Sequence, residues 1–243
     1  TLALTLHGDQ DVSVLDEMPP GRTPITTRVY DGSKASQVEA AYSLLRSQVQ
    51  RGFQAFVVFP LIEANPGLDL ANSITAFNEL TCKAGGRLSD FTVKVLHGKL
   101  KEREKATVMQ SFVDGETQVL LATTVIEVGI DVPKATVILI HNGERFGLAQ
   151  LHQLRGRVGR GKDRSFCLVL NEARSESSKA RLLCLEQSQN GFWLAEQDLK
   201  LRGQGDILGT RQSGLLPFRL ANLLLHADLL EQARAAAWQT AHC

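Results

Sequence analysis

The chain is poor in the features that mark several large protein classes. It has no paired-cysteine spacing, no long apolar run, no internal repeat, no low-complexity tract and almost no net charge. The four cysteines, Cys82, Cys167, Cys184 and Cys243, are scattered without a CxxC pair. That spacing suggests neither a zinc site nor a disulfide framework, and favours a reducing compartment. No uninterrupted apolar stretch approaches the length needed to span a membrane. No basic, apolar targeting segment stands at the start. A formal net charge of +1 says nothing of a polyanionic partner. The first residue is Thr1 rather than Met, so the chain is expected to be part of a longer protein. What remains is ordinary globular composition, 43% hydrophobic and 22% charged, enough for one sizeable core and an appendage.

Within that composition the pattern alternates. Ser33 to Gln50 carries Val38, Ala41, Leu45 and Val49 at helical spacing, with Gly52 as a stop. Phe56 to Phe59 is a short buried-strand run. Ala71 to Lys83 reads as a helix, Thr92 to Leu96 as a strand, Lys101 to Phe112 as a charged helix and Val119 to Leu121 as a strand. Ala135 to Ile140 reads as a strand, Leu148 to Arg160 as a helix and Phe166 to Leu170 as a strand. Apolar strands alternating with helices predict an α/β fold with a parallel sheet covered on both faces. Functional residues are then expected where loops leave the carboxyl ends of strands. After Asn171 the strand pattern stops. Ser177 to Gln189 reads as helical, Leu201 to Gly214 is Gly-rich and polar, and Pro217 onward reads as one more amphipathic helix.

Two segments imitate nucleotide sites. Gly156 to Lys162 has the spacing of a phosphate loop. Asp163 stands where a hydroxyl should ligate magnesium, and the segment follows a helix pattern rather than a strand. Val12 to Glu17 imitates a strand ending in an acidic magnesium box, but Pro19-Pro20-Gly21 follows and marks a linker. With both rejected, the sequence contains no complete ATP site. The stronger signal lies in two other blocks, Ala122 to Pro133 directly after a strand, and Gln150 to Gly161. Arg157 and Arg160 are three apart, which on a helix makes them neighbours on one face. Paired guanidinium groups suit the spread charge of a phosphoryl transition state. Arg155, Arg157, Arg160, Lys162 and Arg164 form a local basic cluster, either a polyanion site or a solvated helix face.

Taken together, Thr123 to Pro133 and Gln153 to Gly161 resemble motifs V and VI of superfamily-two helicases. Asn142 to Gln153 narrows the resemblance to the RecG and Mfd translocases. Leu194 to Gly214 resembles their translocation element, and Thr210-Arg211-Gln212-Ser213-Gly214 favours the RecG branch. His141-Asn142-Gly143 departs slightly from that branch's usual Glu-Asn-Ala, a change expected to be harmless.

The resemblance implies a RecA-like domain over residues 24–172, after a connector over 1–23. A helical hairpin with the translocation element would follow over 173–216, then a C-terminal helix over 217–243. It implies ATP and Mg²⁺ as cofactors, held mainly by a first motor domain outside this sequence. Arg157 and Arg160 would reach the γ-phosphate, with Gly129, Asp131 and Gln153 near the nucleotide. Asp131 as a simple cap is the alternative. Thr123, Thr124, His97, Gly98 and Lys99 would contact DNA phosphates, although His97-Gly98-Lys99 also fits a tight turn with a solvated lysine. Arg202, Arg211 and Gln212 would couple ATP turnover to movement, against the reading of a solvated linker. The implied partner is branched double-stranded DNA, with single-stranded-DNA-binding protein a candidate, no membrane, and a monomeric state. Bacterial cytoplasm is the default compartment, or a chloroplast or mitochondrion in a eukaryote. The rivals are a non-catalytic nucleic-acid-binding module and an Mfd-type transcription-repair translocase.

Overall fold

The computed structural model describes residues 23–60, 75, 77–82, 85–123, 132–173 and 175–202, with backbone alone for 199–202. Six further positions, 229, 232, 233, 236, 237 and 240, are helical and belong to a separate unit. Residues 1–22 of the expected connector, the acidic pair Asp16 and Glu17, residues 71–74, 76 and 83 of the helix expected over 71–83 and most of the one after Pro217 lie outside the described residues. So do Thr124, Gly129, Asp131, Arg211 and Gln212.

Six parallel strands form one sheet in the order β1-β6-β5-β2-β4-β3. They are β1 (Thr26–Asp31), β2 (Gln54–Val58), β3 (Val93–Leu96), β4 (Val119–Ala122), β5 (Ala135–Ile140) and β6 (Phe166–Asn171). Every residue of β2, β4, β5 and β6 is buried. Burial on both faces explains their continuous apolar runs. Side chains alternate between two cores. Phe56, Val58, Leu120 and Ile138 point to one, and Ala55, Val57, Leu121 and Leu139 to the other.

The first core is closed by α2 (Glu102–Val113) through Phe112 and by α3 (Leu148–Arg155) through Leu148, Leu151 and Leu154. Leu182 and Leu185 of α4 (Glu176–Gln187) complete it. The second is closed by α1 (Ala35–Gln50), whose Ala41, Leu45 and Val49 repeat every four residues and are almost fully buried. Each such leucine or valine contributes roughly 1.5–3 kcal/mol by leaving water. A further helix, α5 (Gly191–Arg202), packs against both α3 and α4.

Two local expectations are corrected. The sequence TTRVYD forms strand β1, which the apolar pattern did not announce. As an edge strand it is only partly buried, so it tolerates polar residues. The helix expected over Leu148 to Arg160 ends at Arg155. Gly159 has a left-handed φ of 73° that a continuing helix cannot contain.

Candidate functional site

Parallel pairing of β3 with β4 sets Leu96 opposite Ala122, so the next residues, His97 and Thr123, emerge side by side at the carboxyl edge of the sheet. The Thr123 N–H donates to the Leu96 carbonyl at 3.2 Å. Thr123 is 3% exposed, yet its hydroxyl has no hydrogen-bond partner among the described residues, and neither does His97 Nδ1. Gly98 and Lys99 form an exposed turn closed by the Leu100 N–H on the His97 carbonyl, at 3.2 Å. Burial, and then the neighbouring Lys99 charge, lower the His97 pKa and favour the neutral ring. His97, Gly98, Lys99 and Thr123 thus follow strand ends, as the sequence predicts, and the β3–β4 pairing sets the two segments side by side. Leaving two buried polar atoms unpaired costs on the order of 1–3 kcal/mol each unless water or a ligand meets them; Thr27, Gln54, Thr136 and Arg181 carry such atoms elsewhere in the fold.

The arginine loop is built differently from its sequence reading. The Gly156 and Arg157 N–H groups close the end of α3 on the carbonyls of His152 and Leu154, both at 3.0 Å. Val158 is fully buried and pins the loop. The Gly159 backbone then lies on Ile25, where an added Cβ would stand 2.8 Å from Ile25 Cγ1. Arg157 and Arg160 therefore do not share a helix face. They flank this turn, Arg157 half-buried and Arg160 exposed. Gln153 is exposed on α3, two residues before the helix ends. Gly161 closes the loop against Pro133, where an added Cβ would be 2.9 Å from the Pro133 carbonyl oxygen. The segment with phosphate-loop spacing thus runs from a helix into β6, with no helix after it to present N–H groups to a phosphate.

Arg155 leaves the basic cluster altogether. It is 2% exposed, and its Nη1 donates to the carbonyls of Leu185 at 2.8 Å and Ser188 at 2.9 Å. Its Nη2 lies 2.9 Å from His152 Nδ1. Arg155 thereby fastens the end of α3 to the turn between α4 and α5. The sequence did carry a signal for this, because Leu148, Leu151 and Arg155 follow helical spacing on one buried face. Arg202 ends α5, in backbone terms, at the far end of that helix.

At the end of β5, His141 stacks on Phe59 with ring centroids 4.4 Å apart, and its Nε2 is 2.8 Å from the Tyr42 hydroxyl. Burial first, then the Arg87 charge, hold His141 down at about 4. An unfolded histidine titrates near 6.5. Between those values the unfolded chain binds a proton that the folded one does not. Stability from this group is therefore complete above pH 6.5 and is lost as pH falls toward 4. We expect this histidine to cost about 2 kcal/mol of stability on going from pH 7.5 to pH 5. His141→Gln should flatten that part of the profile in urea unfolding; an unchanged slope would show that other groups set it. After Asn142, at a left-handed φ of 47°, the Gly143 backbone is pressed so closely on Val169 that a Cβ would collide with its Cγ1.

Among the described residues no cluster of His, Cys, Asp or Glu is placed to hold a metal, and no helix is long and apolar enough to cross a membrane. The helicase conserved C-terminal domain matches residues 36–162, more than half of the chain. The ATP-dependent DNA helicase RecG, domain 3, C-terminal, matches residues 188–242. The chain is 48% identical to the ATP-dependent DNA helicase RecG of Synechocystis, over 98% of this chain and 28% of that one. It is 46% identical to RecG of Streptococcus pneumoniae, over 98% of this chain and 34% of that one. Among solved structures, RecG bound to a three-way DNA junction matches 95% of this chain and 29% of its own, at 41% identity and a TM-score of 0.71. The chain thus spans about a third of the length of the relatives it matches.

Proposed function

Because the chain belongs to the family of helicase conserved C-terminal domains, in its RecG form, we propose that it is the second motor domain and coupling tail of an ATP-driven translocase. That translocase regresses stalled forks and migrates junctions in branched double-stranded DNA. ATP and Mg²⁺ are bound mainly by the other motor domain, since neither a phosphate loop nor a magnesium box stands in this sequence. This chain supplies Arg157 and Arg160 toward the γ-phosphate, with Gln153, Gly129 and Asp131 near the nucleotide. The segment with Arg202, Arg211 and Gln212 converts cleft closure into movement of the duplex. The parent acts as a monomer in the bacterial cytoplasm or an organelle, with single-stranded-DNA-binding protein as a candidate partner.

The observation that carries the reading is the pair of unpartnered buried atoms, Thr123 Oγ1 and His97 Nδ1, beside the exposed Lys99. A DNA phosphate binds on the exposed Gly98–Lys99 turn and reaches the buried Thr123 hydroxyl only if the edge opens, with Thr124 as a further contact. Two variants of the full-length protein test it. Thr123→Val keeps the shape and removes the unpaired hydroxyl. We expect it to raise thermal stability, by on the order of 1 kcal/mol, while weakening branched-DNA binding several-fold. Lys99→Ala should weaken binding and reduce the salt slope by about one ion. Wild-type affinity and slope in both variants would remove this edge of the sheet from the DNA interface.

A further inference from the structure

The outer edge of β1 is occupied by side chains rather than by a strand. Gln189, in the turn between α4 and α5, uses its primary amide as a peptide group. Its Oε1 accepts from the Ile25 N–H and its Nε2 donates to the Ile25 carbonyl, both at 3.3 Å. Farther along, the Val29 N–H donates to Glu186 Oε1. Ile25 is held from the other side as well, because its side chain lies under Gly159 in the centre of the arginine loop. The neighbouring Thr23 hydroxyl donates to the Lys162 carbonyl of the same loop at 3.3 Å. One buried residue, Ile25, therefore touches both the loop that carries Arg157 and Arg160 and the turn that begins α5.

We propose that Gln189 is a positioning residue that keeps the arginine loop and the α4–α5 helical pair in register through Ile25, so that displacement of the loop moves the pair. This rests on the translocase reading above. Bulk attachment of the pair does not need Gln189, since Leu182, Leu185 and Arg155 already anchor α4. Two long, half-exposed hydrogen bonds add little to stability. They do fix direction, because an amide that both donates and accepts fits the Ile25 backbone in one orientation. A contact this weak can also be broken and remade within a catalytic cycle.

Gln189→Glu in the full-length protein is the test. The two side chains have the same shape, but a carboxylate cannot donate to the Ile25 carbonyl and repels it. The measurements are DNA-stimulated ATP hydrolysis and fork regression on the same preparation, read as base pairs moved per ATP. Hydrolysis should stay within about twofold of wild type, while movement per ATP falls at least roughly fivefold. The melting temperature should shift by no more than about 3 °C. Gln189→Ala, which removes donor and acceptor together, should uncouple in the same way. Unchanged movement per ATP in both variants overturns the proposal. So does a parallel fall of hydrolysis and regression, which would put Gln189 with the catalytic machinery. A wild-type protein that hydrolyses ATP on branched DNA without moving it would instead overturn the translocase reading, and this proposal with it.

Discussion

Arg160→Ala in the full-length protein is expected to lower DNA-stimulated ATP turnover by about 10²-fold or more while leaving DNA binding intact, a loss somewhat below the ~10³–10⁵ that arginine fingers supply elsewhere. The expectation comes from how the loop is held. Val158 is locked in the core and Gly159 turns left-handed over Ile25, so the chain leaves the core with Arg160 on its outer side. Rigid presentation of a guanidinium is what phosphoryl-transfer stabilisation requires. Arg160→Lys should restore little, since an ammonium lacks the planar two-donor fork. Gel-shift titrations beside steady-state ATPase kinetics decide the matter. Wild-type turnover in Arg160→Ala takes the residue out of the phosphate site. Equal loss of binding and turnover makes it a DNA ligand.

The second large effect is on stability. Arg155→Met keeps much of the side-chain volume of Arg155 but strands the Leu185 and Ser188 carbonyls and the His152 ring nitrogen. Hydrogen bonds from a charged donor are worth about 1.5–3 kcal/mol each. A net loss of about 3 kcal/mol should therefore lower the melting temperature of a chain this size by roughly 10 °C. Arg155→Lys should recover only part of it, because one ammonium does not reproduce the spread of the fork. Circular dichroism melts of the 243-residue chain measure this directly. A shift under about 2 °C would mean that the turn between α4 and α5 holds its place without the guanidinium.

Legibility in the sequence followed burial. Strands β2, β4, β5 and β6 are covered on both faces, so their sequences are apolar without interruption and could be read directly. The edge strand β1 escaped because partial burial leaves Thr26, Thr27 and Arg28 free to be polar. Helix α1 was legible from one four-residue repeat. The carboxyl-edge rule placed His97 and Thr123 in the right kind of loop, but their adjacency depends on β3 pairing with β4, which no local pattern encodes. The end of α3 was misread for a similar reason. The chain turns at Gly159 through a left-handed φ and packs there on Ile25, 134 residues earlier, a neighbour of which periodicity carries no record. Arg155 looked like one more surface cation because the carbonyls it serves lie 30 and 33 residues away.

Gly143 and Val169 bear on how interchangeable the parts of this protein are. With the Gly143 backbone lying on Val169 Cγ1, the glycine and the valine form a matched pair across two separate elements. An alanine at 143, the residue usual in the RecG branch, requires the Val169 side chain or the turn to shift. A chimera that imports the Asn142–Phe146 turn from a relative but keeps this β6 would inherit an overpacked contact, although each half is sound in its own protein. A segment boundary drawn between the Asn142–Phe146 turn and β6 therefore cuts through a tight contact.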